Sequence, residues 1–569
     1  MSTTTVSFRL SEIQLYDFRG ADRLKVEFPL MQPLYLVGAN NAGKSTVLDA
    51  IALALKGGGF HTFSPDGYDF HHGADSGRAE EFHIYLRFEA DRGKLPAVQG
   101  MGSPAFVHGV HVQGRITRKG PEHSHYLIDD AGKTISFSRT TPVKGEAKDA
   151  FAGTGVGFRP VNARLDDIRD FLPEVWVLRP NQIDASLYEW KTGPLRRLAT
   201  LLSKRFLEAD WNFNWRGGTR SMPAGIQHAH QFLTDAVREF PFWKDDLRPK
   251  LEKALGHYLG DRSSFALTPD LASIEEWLVQ QLTVAFAVEA NAPSIPISRM
   301  GDGVQSLVRL AALDVISQYP EMMRNERVVI LFEEPETHLH PHLRRKLRVT
   351  LEQLAERGYQ IVVTTHSSEF ISFADKQRIA RLSRTPDGVR LHPLLPSNIK
   401  QEIKQQERLE RGRATLEIPF SRRVLMSEGK TDELAFRLAF AALGFDADGC
   451  SLAIVRADGA AGLPPLAELT RAFGLPWFAV IDDDLLPDGT KKPATDKATL
   501  ELEKLRTEVD RVQQMKGALE GALNLSRHGD SAEVYNRLKG ISEEVMRREY
   551  AAFAALCDNV RNWCLATSS

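Results

Sequence analysis

Three cysteines, Cys450, Cys557 and Cys564, are too few and too scattered in 569 residues for a disulfide framework or a four-cysteine zinc site. Free thiols are expected, as in a reducing cytoplasm. No run of about 18 apolar residues occurs, so no membrane span is expected. Met1-Ser2-Thr3-Thr4-Thr5 has no basic stretch leading into an apolar core, so no signal peptide is expected and the expected location is cytoplasmic. An excess of one charge is also missing. The 72 Lys and Arg nearly cancel the 74 Asp and Glu, for a formal net charge of -2, so any nucleic-acid site must be a local patch rather than a whole-molecule field.

What is present is ordinary globular material, 42% hydrophobic and 26% charged, which excludes global disorder and low-complexity classes. At about 150 residues per domain the length predicts three to four domains.

The first forty residues read as strands over Ile13 to Phe18 and Leu24 to Phe28, then as the apolar run Leu34-Tyr35-Leu36-Val37. That run enters Gly38-Ala39-Asn40-Asn41-Ala42-Gly43-Lys44-Ser45-Thr46 and then an apolar helical stretch, Val47 to Leu55. A glycine-rich G-x-x-x-x-G-K-[ST] loop between a buried strand and a helix is the P-loop context. Its backbone N-H groups turn onto phosphate oxygens, and the helix N-terminus adds partial positive charge. The residues expected to hold ATP are Gly38, Asn40, Asn41, Gly43, Lys44, Ser45 and Thr46. Lys44 would reach the β- and γ-phosphates, and the Ser45 hydroxyl would ligate magnesium.

Far downstream, Val328 to Phe332 is a five-residue apolar run ending in Glu333-Glu334, the pattern of a Walker B strand. The first carboxylate is placed to hold magnesium through water and the second to orient or deprotonate the attacking water. Glu333 stands where most P-loop ATPases carry Asp, one methylene further out. The next apolar strand, Gln360 to Thr365, ends at His366. Alone His366 is an ordinary strand-end residue; in this order it occupies the switch position of ABC-type ATPases, where a histidine senses the γ-phosphate. Between these elements lies Ser298-Arg299-Met300-Gly301-Asp302-Gly303-Val304-Gln305, followed by an apolar helix from Ser306 to Ile316. This spacing resembles the ABC signature, with Ser298, Gly301, Gly303 and Gln305 as nucleotide contacts, although it departs from L-S-G-G-Q and by itself also reads as a glycine turn before a helix.

Taken together, Tyr16-Asp17-Phe18-Arg19-Gly20, the P-loop, Glu333-Glu334-Pro335-Glu336 and Thr337-His338-Leu339-His340-Pro341 resemble the ABC-type ATPases of the RecF and OLD (overcoming lysogenisation defect) group. The histidines His338, His340 and His342 have chelating spacing for a strand. The resemblance instead assigns them to a turn entering a helix. From about Pro180 to Pro296 apolar residues recur at helical spacing, as in Leu195, Leu198, Leu202 and Phe206, and in Ile274, Trp277, Leu278 and Leu282. The resemblance makes this stretch a helical dimerisation insert; a monomeric helical cap fits the same spacing. Trp211, Trp215 and Arg216 suit either nucleic-acid stacking or a buried aromatic cluster.

After a charged stretch from about Ile399 to Arg423, a second α/β pattern begins. A strand, Arg423 to Met426, leads into Ser427-Glu428-Gly429-Lys430-Thr431-Asp432, and a later strand, Trp477 to Ile481, ends in Asp482-Asp483-Asp484. E-G-x-x-D followed by D-x-D resembles the Toprim domain. The physics stands beside the name: Glu428, Asp432, Asp482 and Asp484 leave the carboxyl edge of one parallel sheet, and four converging carboxylates need a cation to stay ionised. Oxygen-only ligands favour magnesium or manganese. Two such ions about 4 Å apart would activate water and stabilise the leaving oxygen in phosphodiester cleavage, with Glu428, Asp482 and Asp484 catalytic. Asp458 is a weaker candidate ligand. Beyond the acidic turn, Leu502, Leu505, Val509, Val512, Leu519 and Leu523 predict one long amphipathic helix, and a turn at His528-Gly529-Asp530-Ser531 predicts a second. No further acidic strand is expected, and Lys491, Lys492 and Glu533 are candidate substitutes for the cation and acid such a strand carries.

The expected fold is therefore α/β: an ABC or RecF-like P-loop ATPase with a helical insert, then a Toprim domain with a C-terminal helical hairpin. The expected segments are ATPase lobes at 1-185 and 296-395, an insert at 186-295, a linker at 396-421, a Toprim core at 422-490 and a helical end at 491-569. This layout resembles OLD-family nucleases, including the nuclease of Gabija-type antiphage systems. It implies an ATP-dependent DNA endonuclease using Mg2+ or Mn2+, acting as a homodimer or larger homo-oligomer, with a second defence-system protein as partner and no membrane. Two other readings remain open: an ATP-dependent nucleic-acid sensor or scaffold whose Toprim domain docks a separate effector, and an RNA nuclease acting on tRNA.

Overall fold

The computed structural model describes most of residues 9-56, 67-135, 172-179, 328-393 and 415-567, with short segments elsewhere. By its internal contacts the chain divides into one unit of Met1–Pro180 with Glu326–Ser569 and a second unit of Asn181–Asn325.

The first unit opens with strands β1 (Arg9–Phe18), β2 (Ala21–Glu27) and β3 (Leu34–Val37), then helix α1 (Lys44–Lys56). Strands β4 (Glu81–Glu89), β5 (Gly109–Thr117) and β6 (Gly120–Ile128) join β1 and β2 in an antiparallel sheet of order β6-β5-β4-β1-β2. Its strands alternate as half-buried strands should: Phe82, Ile84, Leu86 and Phe88 of β4 face the core while Glu81, His83, Tyr85 and Arg87 lie on the other face.

A six-stranded sheet carries the nucleotide motifs. It adds β7 (Glu174–Leu178), β8 (Val328–Glu333), β9 (Gln360–Thr364), β10 (Arg378–Thr385) and β11 (Gly388–Pro393), in the order β7-β8-β9-β3-β10-β11. All neighbours are parallel except β10 and β11. Leu34 to Val37 and Val328 to Phe332 are buried at every position, the mark of parallel strands covered on both faces. Helix α2 (Pro341–Glu356) begins with a proline, whose missing N-H costs nothing there, and buries Leu347, Leu351, Leu354 and Ala355 at helical spacing.

A separate four-stranded parallel sheet follows. It consists of β12 (Arg423–Ser427), β13 (Leu452–Arg456), β14 (Trp477–Asp482) and β15 (Arg511–Met515), in the order β13-β12-β14-β15. Helix α3 (Lys430–Ala442) leaves β12, and helix α4 (Leu463–Ala472) lies between β13 and β14. The end of the expected linker is packed rather than loose: Thr415–Phe420 forms a 3-10 turn with Ile418 fully buried.

The single long helix expected over Leu502 to Leu523 is interrupted. Helix α5 (Pro493–Leu505) stops, β15 pairs with β14, and a short helix, α6 (Ala518–Ala522), follows. The reason is Asp510, a buried residue whose carboxylate accepts from the Thr507 N-H at 2.9 Å, the Thr507 hydroxyl at 2.7 Å and the Trp477 N-H at 3.0 Å. That turn ends the helix and docks the next residues beside β14. Val512 therefore sits in a strand and Val509 is half exposed. Helices over Ser531–Leu538, Glu543–Glu549 and Ala551–Ala566 complete the unit.

In the second unit Leu198 and Leu202 are helical as expected, but Trp211–Trp215 and Gly218–Met222 form an antiparallel hairpin. The period-two pattern Trp-Asn-Phe-Asn-Trp before Arg-Gly-Gly is a strand and turn signal that the surrounding helical spacing had masked. Leu195, Phe206, Ile274, Trp277, Leu278 and Leu282 lie outside the described residues. Among the described residues no helix is long and apolar enough to cross a membrane.

Candidate functional site

The loop between β3 and α1 has the backbone a phosphate cradle needs. Gly38 has φ +137°, Asn41 +60° and Gly43 +95°. A Cβ on Gly38 would meet the Leu382 carbonyl oxygen at 2.2 Å, so only glycine fits. Asn40, Asn41 and Ser45 are exposed, and Thr46 is half-buried. Lys44 is buried; its ammonium donates to the Gly38 carbonyl at 3.1 Å and the Ala39 carbonyl at 3.0 Å. Burial pushes its pKa down to about 8, against the opposing pull of Glu334, Glu336 and Glu333.

The sheet order puts β8 one strand away from β3, and this brings Glu333 to the loop. The Ser45 hydroxyl donates to Glu333 Oε1 at 2.5 Å, so the longer side chain spans the gap. Arg179, directly after β7, lies 3.0 Å from Glu333 Oε2 through its Nε and also pairs with Asp49 of α1. Asp49 in turn pairs with Arg19 at 2.5 Å, and Arg19 reaches Asp69 at 2.9 Å. Thus the Arg19 of the opening motif, the P-loop helix and the end of β8 are joined by one chain of ion pairs.

Glu334 has a strained backbone, φ +43°, held by its N-H donating to the Thr364 carbonyl at 2.9 Å. Its Oε1 lies 3.5 Å from His366 Nε2. Burial lowers the His366 pKa, with the Lys44 charge acting in the same direction and Glu334 opposing. Glu336 is buried and accepts from the His366 N-H at 2.6 Å and the Thr365 hydroxyl at 2.8 Å, which fixes the end of β9 against the turn after β8. Burial raises its pKa.

On the smaller sheet, β12 lies between β13 and β14, so Glu428 and Asp482 leave neighbouring carboxyl ends. The Asp482 N-H donates to Glu428 Oε1 at 2.8 Å. Asp432 is buried in the first turn of α3 and accepts from the Gly429 N-H at 2.7 Å, which caps that helix and fixes the turn carrying Glu428. Asp458 has φ +54° and lies 3.4 Å from the Arg456 guanidinium.

Residues 420-484 match the family described as overcoming lysogenization defect protein-like, TOPRIM domain; residues 244-371 match an AAA ATPase domain, and residues 8-102 a family of unknown function. The OLD nuclease of Thermus scotoductus is 27% identical over 256 residues, covering 41% of this chain and 47% of that protein. The Old nuclease of Escherichia phage P2 is 25% identical over 198 residues, covering 33% and 34%. Over these stretches the chain is similar to OLD nucleases. The matches span a third to a half of those relatives' own length. A structure of an SMC head bound to the C-winged helix domain of ScpA overlaps 68% of the chain and 99% of that chain, at 16% identity and a TM-score of 0.38, too loosely to argue from.

The AAA ATPase match starts well after the P-loop, which falls inside the match of unknown function. The P-loop and the Glu333 strand end are far apart in sequence and are brought together by the order of one sheet. Of the signature residues, Gly301 is exposed, and Ser298, Gly303 and Gln305 lie outside the described residues, as do His338, Asp484 and Lys491. Among the described residues no three His, Cys, Asp or Glu side chains form a metal-holding group. His340 and His342 stack on each other with ring centroids 5.9 Å apart. Of the remaining tail candidates, Lys492 directly precedes α5, and Glu533 pairs with Arg537 at 2.8 Å. Sequence reasoning passed over Arg179, Asp49 and the role of Glu336. A signal existed for the first: Arg179 directly follows the apolar strand Val175 to Leu178.

Proposed function

We propose that this protein is an ATP-binding and ATP-hydrolysing, divalent-metal-dependent DNA endonuclease whose Toprim centre is regulated by a dimeric ATPase, acting in antiphage defence. The observation that carries the reading is the junction of Glu428 and Asp482 at the carboxyl edge of β12 and β14. The donor set fits a hard cation, since it is all oxygen and the Asp482 N-H holds Glu428 beside the second strand end. Glu428, Asp482 and Asp484 would hold Mg2+ or Mn2+, with Asp432 fixing the Glu428 turn. Bound there, the ion would supply Lewis acidity to the scissile phosphate and a lowered pKa for attacking water.

In the ATPase half, the P-loop N-H groups and Lys44 bind the phosphates, and Ser45 and Glu333 hold the magnesium that accompanies ATP. Glu334 is the base or orienting group for water, and His366 beside it is the γ-phosphate contact. Ser298, Gly301, Gly303 and Gln305 are the contacts offered to a partner subunit's nucleotide. The relatives named as OLD nucleases support a nucleic-acid substrate.

The test is nicking of supercoiled plasmid with magnesium or manganese, with and without ATP. Wild-type protein should nick, chelator should abolish nicking, and Asp482→Ala should be inactive. Equal nicking by both proteins removes the assignment. The alternative is a nucleotide-dependent nucleic-acid sensor whose Toprim domain docks an effector. In that case biological activity survives Asp482→Ala and is lost in Lys44→Ala.

A further inference from the structure

Arg381 is a buried arginine on β10, and among the described residues no carboxylate pairs with it. Its guanidinium donates to the Phe473 carbonyl at 3.1 Å and the Ser421 carbonyl at 3.2 Å, while its Nε is buried without a hydrogen-bond partner. Burial pushes its pKa down to about 10 with no acidic neighbour opposing. Phe473 caps the C-terminal end of α4, the negative end of that helix, and Ser421 lies two residues before β12. A charge is thus held in the interior by two backbone oxygens that both belong to the Toprim half, although Arg381 belongs to the ATPase sheet.

Stability alone gives no reason for this choice. Burying a charge without a counter-ion is costly, and an apolar side chain of similar volume often serves as well. What the guanidinium adds is direction, because its planar fork fixes two oxygens at once. On the other side Arg381 is paired in register with Val37, the last residue before Gly38, and the next residue of β10, Leu382, presents the carbonyl that crowds Gly38. The packing agrees independently: Val37 and Ile379 of the ATPase sheet, with Ile371 from the segment between β9 and β10, share one buried core with Ile418, Val424, Met426 and Ile481 of the Toprim half. The strand that delivers Glu428 is therefore attached, by a fixed fork and a common core, to the strand that delivers the P-loop.

We propose that Arg381 is a positioning residue for the nuclease centre, acting through Ser421 and β12, and the joint by which nucleotide in the P-loop alters the setting of Glu428. This rests on the proposed roles of the P-loop and Glu428. Phosphate bound by the loop resets the backbone of Gly38 beside Val37, and Arg381 carries that change to the start of β12. An apolar side chain there leaves the core packed and removes the directional link.

The experiment is amide hydrogen exchange over residues 415-428 in the full-length protein, with and without a non-hydrolysable ATP analogue and magnesium, for wild type, Arg381→Met and Arg381→Lys. In wild type the analogue changes exchange in this segment by about fivefold or more, the lower end of ordinary coupling between linked sites. Arg381→Met binds the analogue but loses that change, and Arg381→Lys, which reaches one oxygen in place of two, retains part of it. No nucleotide-dependent change in wild type, which is readable even if Arg381→Met fails to fold, overturns the proposal. So does an undiminished change in Arg381→Met. Plasmid nicking run in parallel separates the two ideas: a wild type that shows the exchange response and never nicks refutes the nuclease reading and leaves the joint standing.

Discussion

The Ser45 hydroxyl and the Glu333 carboxylate meet at 2.5 Å, although 288 residues separate them in the chain. Their meeting is held from the far side by Arg179, which lies 3.0 Å from the other Glu333 oxygen and also pairs with Asp49. Glutamate at this position carries an extra rotatable bond, and the guanidinium restricts it. Arg179→Met should lower ATP turnover by about 10-100-fold, as loss of an outer partner of a metal ligand commonly does. Phosphate release measured against magnesium concentration checks this; unchanged turnover would show that Glu333 needs no holder.

Lys44 gives a pH dependence whose sign is fixed by its lowered pKa of about 8 against 10.5 for an ordinary lysine. Between those values the unfolded chain binds the proton and the folded chain does not, so the stability cost of this burial is full below about pH 8 and fades as pH rises toward 10.5. Nucleotide acts oppositely, since triphosphate favours the charged ammonium. ATP binding should therefore take up a proton near pH 8.5 and weaken as pH rises further. Calorimetry in buffers of differing ionisation heat reads the proton directly, and zero uptake would mean that Lys44 stays charged in the empty loop.

Gly38→Ala should destabilise the protein by roughly 2-4 kcal/mol, because the added methyl meets a backbone oxygen and not a side chain that can move. Thermal denaturation checks it. A melting temperature equal to wild type would mean that β3 and β10 can separate at the P-loop.

Much of this chemistry could be read from residue order, for stated reasons. The P-loop and the acidic strand ends are contiguous motifs, and the burial of Leu34 to Val37 and Val328 to Phe332 follows from unbroken apolar runs. Contacts made by isolated residues could not be read. Arg179 and Asp49 are 130 residues apart, and Arg381 reaches Phe473 across 92, so neither pairing leaves a local pattern. The helix expected through Val509 and Val512 failed because apolar spacing there suits both a helix and a strand, and a single aspartate decided between them.

That aspartate supplies another expectation. Asp510→Ala removes three hydrogen bonds from a buried turn, and each buried group left unpaired costs about 1-3 kcal/mol. The variant should lose protection from hydrogen exchange in Arg511–Met515 ahead of the rest of its sheet. Uniform protection across the four strands would show that β15 is held by its ladder alone.

The central claim is that Asp482, joined to Glu428, belongs to a metal-dependent cleavage centre. Its most direct test is supercoiled plasmid incubated with manganese and either wild-type protein or Asp482→Ala, matched for folding by circular dichroism. The account predicts nicked circles from wild type only, and their disappearance when the metal is chelated. Nicking by Asp482→Ala at the wild-type rate would contradict it.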